Sequence, residues 1–219
     1  MQIAPMHDNK NFSVLLDILL NEGQGFVKIS SGWSKGLKIL TPEGMDTRPT
    51  RERVRQAAIN MLQPWIAGSR ILDLFAGSGA VGIELVSRGG SGAKFVESSS
   101  KAIKCLQANA LEAQGRAIKQ GISLNPWQVM AGDVYILIRE EGPDAYDLIW
   151  ADPPYEMVPG FLEAAGGEIA RILKSGGVFA LESAGDTEAF TQSWGGQFGL
   201  ELAKQRRYGV SLISIWQKN

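Results

Sequence analysis

From residue 70 to residue 182, short apolar runs alternate with longer stretches of helical periodicity. Few architectures accept that alternation. The runs must pair as a parallel sheet, and the stretches between them must cover both of its faces. Strands are expected at 70–74, 93–97, 127–131, 147–150 and 177–182, and helices at about 79–88, 99–119, 133–141 and 159–173. The end of the chain breaks the pattern. Residues 199–207 and 210–217 flank Tyr208-Gly209 and read as two strands of an antiparallel hairpin. Near the start, 25–30 and 37–40 alternate around a Ser-Gly-Trp-Ser-Lys-Gly turn and predict a small β-hairpin. A loop with Pro42, Gly44 and Pro49 follows, and Thr50 is expected to cap a helix running to about Gln63. A further short helix is expected over 11–21, after ten poorly packed residues. The fold class is α/β: a doubly wound, mostly parallel, Rossmann-like sheet with a C-terminal antiparallel hairpin and a small N-terminal β-hairpin extension.

The strand at 147–150 stops abruptly in Ala151-Asp152-Pro153-Pro154-Tyr155. Neither proline has a backbone N–H, and both have a nearly fixed φ. The residue before each is pushed away from helix. The Asp152 carboxylate and the carbonyls beside it are thereby held as a preorganised set of acceptors, with the Tyr155 ring next door. Such a set suits a planar substrate that presents an NH2 group. Taken by itself, Pro-Pro is equally compatible with a plain turn at a strand end.

About eighty residues upstream, the strand at 70–74 runs into Asp73-Leu74-Phe75-Ala76-Gly77-Ser78-Gly79-Ala80-Val81-Gly82. Gly77 and Gly79 let the backbone turn tightly against a ligand, and Gly82 permits close helix–strand packing. The spacing satisfies the dinucleotide fingerprint, so a nicotinamide cofactor stays open. Two features favour S-adenosylmethionine (SAM). At the strand tip, the Asp73 carboxylate can hydrogen-bond the cationic amino end of a methionine moiety and would repel a pyrophosphate. The second is the Asp-Pro-Pro-Tyr segment, which a dehydrogenase does not need. Glu97 ends the next strand, where an acidic side chain takes ribose hydroxyls under either cofactor. Asp133 follows the third strand, either as an acceptor for an adenine amino group or as a helix cap. Ala76, Ser98 and Val134 complete the expected cofactor-binding set with Asp73, Gly77, Gly79, Glu97 and Asp133.

Charge is unevenly spread. Residues 28–55 carry seven Lys/Arg against three acidic residues, a net of +4, and residues 200–219 carry a net of +3. The stretch between them, 56–199, has a net of −6. Basic ends on an acidic body form one electropositive face if the ends meet in space. With Cys105 as the one cysteine and His7 as the one histidine, an internal disulfide is ruled out and a zinc site or histidine chemistry is not expected. The apolar segment at 15–20 is too short to span a bilayer, and no secretory leader is apparent. A cytoplasmic monomer is expected.

Asp73-Leu74-Phe75-Ala76-Gly77-Ser78-Gly79, Glu97, Asp133 and Asp152-Pro153-Pro154-Tyr155 resemble, in order and spacing, the SAM-dependent amino-methyltransferases. With Arg48-Pro49-Thr50-Arg51-Glu52-Arg53-Val54-Arg55 before them and Arg207-Tyr208-Gly209-Val210 after, the chain resembles the RsmD family from about Phe26 to Trp216. Asp-Pro-Pro-Tyr is shared by many amino-methyltransferases, so the flanking segments carry the family assignment. The resemblance implies methylation of a guanine exocyclic amine in 16S ribosomal RNA, within a small subunit or an assembly intermediate. It implies a methyltransferase domain at 50–219, an RNA-binding hairpin and loop at 25–49, and an extension at 1–24. The chain departs from the family at Ser98-Ser99-Ser100, where a charged residue is usual, and in a long segment at 112–125. Asp152, Pro153, Pro154 and Tyr155 are the expected catalytic residues, Asp152 and the Pro153 carbonyl holding the amine and Tyr155 stacking on the base. Lys35, Arg48, Arg51, Arg53, Arg55, Arg206 and Arg207 are the expected phosphate contacts. Tyr208 either lines the base pocket or packs in the hairpin, and Trp33 either stacks on RNA or plugs the core. Three rivals remain: a DNA adenine or cytosine amino-methyltransferase, an NAD-dependent oxidoreductase, and a non-catalytic rRNA-binding factor.

Overall fold

The computed structural model describes residues 25–44 and 49–219. The expected helix at 11–21, the 1–24 extension with His7, and Arg48 lie outside those residues. Strands β1 (Phe26–Lys28) and β2 (Lys38–Leu40) pair antiparallel as the expected hairpin. Helix α1 (Pro49–Leu62) begins one residue earlier than expected, so Thr50 sits inside its first turn. A proline at the start of a helix loses no hydrogen bond, because the first N–H groups have no intrahelical partner.

The remaining elements are β3 (Arg70–Leu74), α2 (Ala80–Ser87), β4 (Gly92–Glu97), α3 (Ser100–Lys119), β5 (Gln128–Ala131), α4 (Val134–Leu137), β6 (Tyr146–Ala151), α5 (Val158–Ile172), β7 (Leu173–Ala184), α6 (Glu188–Trp194), β8 (Leu200–Tyr208) and β9 (Ser211–Lys218). Seven strands form one sheet in the order β5-β4-β3-β6-β7-β9-β8. β3 to β7 pair parallel, and β9 pairs antiparallel with both β7 and β8. The chain winds outward from β3 to β5, then returns to β6 on the other side of β3. In such a sheet the crevice for a ligand opens at that reversal, beyond the carboxyl ends of the strands.

Strand alternation splits the core in two. Ile71, Phe95, Leu148, Trp150, Val178 and Ala180 face a layer built from the hairpin, α1, α2 and α3. Leu72, Leu74, Ile149, Ala151, Phe179 and Leu181 face a second layer, in which α5 and Trp194 of α6 pack. Helix α6 was not expected from the sequence. It is anchored by Trp194, whose indole N–H donates to the Leu162 carbonyl at 2.9 Å.

The hairpin shares the first core. Ile29, Leu37 and Ile39 are buried with Ile83 and Val86 of α2. Its turn lies so close to the end of α2 that a Cβ on Gly32 (φ +80°) would sit 1.9 Å from the Ser87 carbonyl oxygen. Trp33 plugs this junction, its indole N–H donating to the Val86 carbonyl at 3.2 Å. Beneath them lies Glu84, fully buried. Its carboxylate accepts from Arg55 at 2.7 Å, from Arg88 at 2.7 Å and from the Ser30 hydroxyl and N–H. Burial pushes its pKa up, but the Ser30 hydrogen bond and the two guanidiniums outweigh that and hold it below the ordinary 4.5.

Glu84→Ala leaves the Arg88 guanidinium buried without its anion and Arg55 with Glu52 alone, and should cost roughly 3–5 kcal/mol in urea unfolding at neutral pH. Because the folded-state pKa is depressed, the wild-type advantage is present above about pH 4.5 and lost as pH falls through the folded value. The gap between the two proteins should therefore close on acidification.

Candidate active site

A cavity of about 710 Å³ opens at the carboxyl ends of the strands, where the winding reverses. Its floor is the turn after β3 (Phe75, Ala76, Gly77, Ser78), Glu97 and Ser98 after β4, and Asp152 to Tyr155 after β6. Its roof is Val27, Thr41 and the start of α1, with Arg51, Glu52 and Arg55. Alternation explains why it is acidic. Ile71, Phe95, Trp150 and Ala180 point to the α1 side of the sheet, so two residues later Asp73, Glu97, Asp152 and Glu182 point there as well. Glu182 was not singled out from the sequence, although the strand expected at 177–182 ends on it. It lines the cavity beside the Asp-Pro-Pro-Tyr segment.

The glycine turn is held from both sides. The Ala76 N–H donates to the Val96 carbonyl at 3.0 Å, and Gly79 N–H to the Ala76 carbonyl at 2.8 Å. Phe75 takes φ +60°, a conformation costly for a bulky residue, and its ring packs edge-on against Phe161 at 5.1 Å. Gly82 meets its sequence-based expectation of close packing. A Cβ there would lie 2.8 Å from Asp73 Oδ2 and 2.5 Å from the Phe95 ring. Glu97 closes the turn by accepting N–H bonds from Gly77 at 2.7 Å, Ser98 at 2.8 Å and Ser99 at 2.7 Å. A pyrophosphate at this turn would find the Gly77 donor taken by a carboxylate, with Asp73 close behind.

Asp73 itself stands behind the turn, 1% exposed, with Oδ2 accepting the Gly82 N–H at 2.9 Å. Burial pushes its pKa up to about 7; the Gly82 hydrogen bond opposes this and the Glu97 charge adds to it. Asp152 is exposed to the cavity but ringed by protein, and its pKa stands well above the usual 3.8. Loss of hydration is the main cause, Glu182 and Asp73 push the same way, and the Arg51 charge opposes them. The Tyr155 hydroxyl bonds Ser211 Oγ at 2.8 Å and donates to Glu182 Oε1 at 3.2 Å, which fixes the ring at the cavity wall. Burial raises the pKa of Tyr155 and of Glu182 too.

The other expected residues divide. Ala76, Gly77, Glu97, Ser98, Asp152, Pro153, Pro154, Tyr155 and Arg51 meet in the cavity. Gly79 is buried beneath it as the left-handed cap of α2 (φ +80°). Of the two roles open to Asp133, the structure shows the cap: its carboxylate accepts the Tyr135 N–H at 2.8 Å at the start of α4. Val134 is buried in the second core layer. Arg55, expected as a phosphate contact, is placed differently. Its guanidinium is turned inward to Glu84, Glu52 and the Lys28 carbonyl. Tyr208 packs in the hairpin, its hydroxyl on Met61 Sδ at 3.6 Å, with Arg206 over its ring at 5.6 Å. Lys35, Arg53, Arg206 and Arg207 are exposed.

Among the described residues no cluster of His, Cys, Asp and Glu has the makings of a metal site, and no helix is long and apolar enough to cross a membrane.

The family model described as conserved hypothetical protein 95 matches residues 27–217. The protein YlbH of Bacillus subtilis is 42% identical over 83 residues, 38% of this chain and 45% of that one. Ribosomal RNA small subunit methyltransferase D of Escherichia coli (strain K12) is 29% identical over 170 residues, 74% of each chain. The solved structure of yhhF from Escherichia coli superposes with a TM-score of 0.67 at 22% identity, covering 89% of this chain and 99% of that one, a likeness of fold.

Asp73 is protonated in the fold where the unfolded chain is ionised, between about pH 3.8 and 7. Its raised pKa means that the stability of the protonated form is full below 3.8 and lost as pH rises to about 7. Relative to Asp73→Asn, the wild type should lose on the order of a few kcal/mol across that window in urea unfolding, and no more above it.

Proposed function

The chain belongs to the RsmD family, and on that premise we propose that it methylates the exocyclic N2 amine of a guanine in small-subunit ribosomal RNA, with SAM as donor. The observation that carries the reading is the acceptor set at Asp152-Pro153-Pro154-Tyr155, opening into the same cavity as the glycine turn. A cavity of about 710 Å³ lies within the ~300–1,000 Å³ of small-molecule sites. The donor set also fits. Glu97, on the cavity wall, suits the ribose hydroxyls of SAM, with Ala76, Gly77 and Ser98 against its length, while Asp73, buried behind the glycine turn, supports that turn through the Gly82 N–H. When bound, SAM would supply a methyl group on a sulfonium, a good electrophile because its sulfur keeps the electron pair of the broken S–CH3 bond and leaves as a neutral thioether.

The chain's own residues deal with the acceptor. The lone pair of guanine N2 is delocalised into the ring, which makes it a poor nucleophile. Asp152 and the Pro153 carbonyl accept its two N–H bonds, draw the nitrogen toward a tetrahedral shape and aim its lone pair. A carboxylate makes the stronger of these bonds. Once the N–C bond has formed, the nitrogen carries a positive charge and gives up a proton, which an Asp152 oxygen takes. A pKa raised by burial makes that carboxylate a better acceptor than an exposed one. Tyr155, its hydroxyl already tied to Ser211, offers its ring for the base to stack on, worth about 1–3 kcal/mol. The guanine must leave its own stack to enter.

RNA outside the cavity meets Lys35, Arg53, Arg206 and Arg207, with Arg48 and the rim residue Arg51 adding charge. Such contacts set affinity and register more than sequence choice. Arg55 is left out of this set because its donors are spent on Glu84 and Glu52. Two basic ends serving one polyanion account for the charge pattern along the chain.

Labelled methyl transfer to unmodified small-subunit particles and to free rRNA, with nucleoside analysis, tests the reading. Label should appear in N2-methylguanosine. Asp152→Ala should lower kcat on the order of 10²–10³-fold while SAM binding persists. With wild type, the rate should climb as pH rises beyond the ordinary carboxylate range, because Asp152 ionises late. Label in another nucleoside, or an unaffected Asp152→Ala enzyme, would overturn it.

A further inference from the structure

Four carboxylates face the cavity end of the sheet, and three have been given work. Glu182 has not. It stands in register with the acceptor: Ala151 of β6 pairs with Leu181 of β7, so Asp152 and Glu182 follow on adjacent strands. Neighbouring parallel strands lie about 4.8 Å apart; Trp150 and Ala180 face the same core layer, and Glu182 continues that alternation in β7 while Asp152 is the first residue after β6. Both line the cavity. Glu182 is half-buried and held in place, its Oε1 accepting from Tyr155, whose hydroxyl in turn meets Ser211 of β9.

Two carboxylates side by side in a poorly hydrated pocket repel each other, and each raises the cost of ionising the other. Hydrogen bonding to Ser211 and to Tyr155 and the nearby Arg51 charge offset part of that. A ligand that brings donors to both would offset the rest. Among the bases, guanine does so. Its Watson–Crick edge sets N1–H directly beside the N2 amine, giving adjacent donors for adjacent acceptors. Adenine and cytosine also carry an amine, but the ring nitrogen next to it is a bare lone pair, which a carboxylate repels.

We propose that Glu182, held by Tyr155 beside Asp152, accepts the N1–H of the target guanine and so makes the site selective for guanine over bases with a bare ring nitrogen next to their amine. This rests on the guanine-N2 reading above. Asp152 holds the reacting amine; Glu182 checks the atom next to it. A site built around a hydrogen bond rejects a partner lacking it far more strongly than a site built on shape, because its own buried group is left unpaired. Glu182 thus supplies discrimination that the Asp-Pro-Pro-Tyr segment, which meets only an NH2 group and a ring face, does not.

The test uses 2-aminopurine, which keeps the N2 amine and replaces N1–H with a bare nitrogen. The guanine mapped by wild-type methylation is exchanged for 2-aminopurine by splinted ligation of the RNA, and kcat/KM is measured on both substrates. The wild type should prefer guanine by on the order of 10²-fold or more. In Glu182→Gln the amide oxygen keeps the Tyr155 hydroxyl and the NH2 turns to the base, where it donates to the bare nitrogen. The preference should then shrink at least about tenfold, with guanine losing and 2-aminopurine holding or gaining. The ratio is internal to one preparation, so partial misfolding of the variant cancels. An unchanged ratio in Glu182→Gln, with the wild type active on guanine, would overturn the role of Glu182 and leave the guanine reading standing. A wild type that transfers nothing to guanine would overturn both.

Discussion

The constraint on which this structure depends is that side chains on neighbouring parallel strands in register point the same way. Asp73, Glu97, Asp152 and Glu182 stand at the ends of four strands, on one face of one sheet. Their sequence positions are far apart, and no local motif links them. The sheet brings them together where water is scarce, and burial is the main reason that Asp73, Asp152 and Glu182 all have raised pKa values, with neighbouring carboxylates adding to it at Asp73 and Asp152. Glu97 is held by the backbone. Three backbone N–H groups converge on its carboxylate and tie it to the glycine turn.

A cavity floor of carboxylates needs a roof that is held by something else. Arg51 and Arg55 lie one turn apart on α1 and so share a face. Arg55 clamps that face to Glu84 of α2, and the hairpin is fixed to the same carboxylate through Ser30. With the helix anchored there, Arg51 overhangs the cavity and opposes the charge of Asp152 and Glu182. A buried ion pair adds little net stability compared with an apolar contact of equal volume. What Glu84 provides is position: it fixes where the helix carrying Arg51 must lie. The hairpin expected as an RNA-binding module is for that reason also part of the wall, with Val27 lining the cavity and Ile29, Leu37 and Ile39 in the core.

Much of the fold was legible because period-2 and period-3.6 patterns are direct images of burial. The strand at 70–74 matches its expected bounds, and the others differ mainly at their ends. β7 begins earlier than expected because Gly176 and Gly177 interrupt its apolar run, and the pairing shifts register between Tyr146 and Leu148. Helix α6 has seven residues, too few for a period to show, and is anchored by the buried Trp194 and Thr191. At the site, the Asp-Pro-Pro-Tyr segment and the glycine turn could be read because each is contiguous. Arg55 was misplaced because alternate positions on a helix lie on nearly opposite faces, so Arg51, Arg53 and Arg55 could never share one. Glu182 was hidden for the opposite reason. Nothing adjacent marks it, but the rule that drew attention to Glu97, an acidic residue closing a buried strand, applies to it equally.

An acidic floor and the polyanionic substrate proposed for it are reconciled by where the charges lie. On the reading proposed above, phosphates extend along the outside of an RNA strand, and the cations offered to them, Lys35, Arg53, Arg206 and Arg207, are all exposed. A base swung out of its stack leads with its ring edge and trails its phosphate. For the guanine reading, that edge carries donors, and it meets carboxylates. A phosphate that tried to follow it into the cavity would meet the same carboxylates and be repelled. Separating the two signs of charge by depth therefore limits what enters to the one part of the nucleotide on which the chemistry acts.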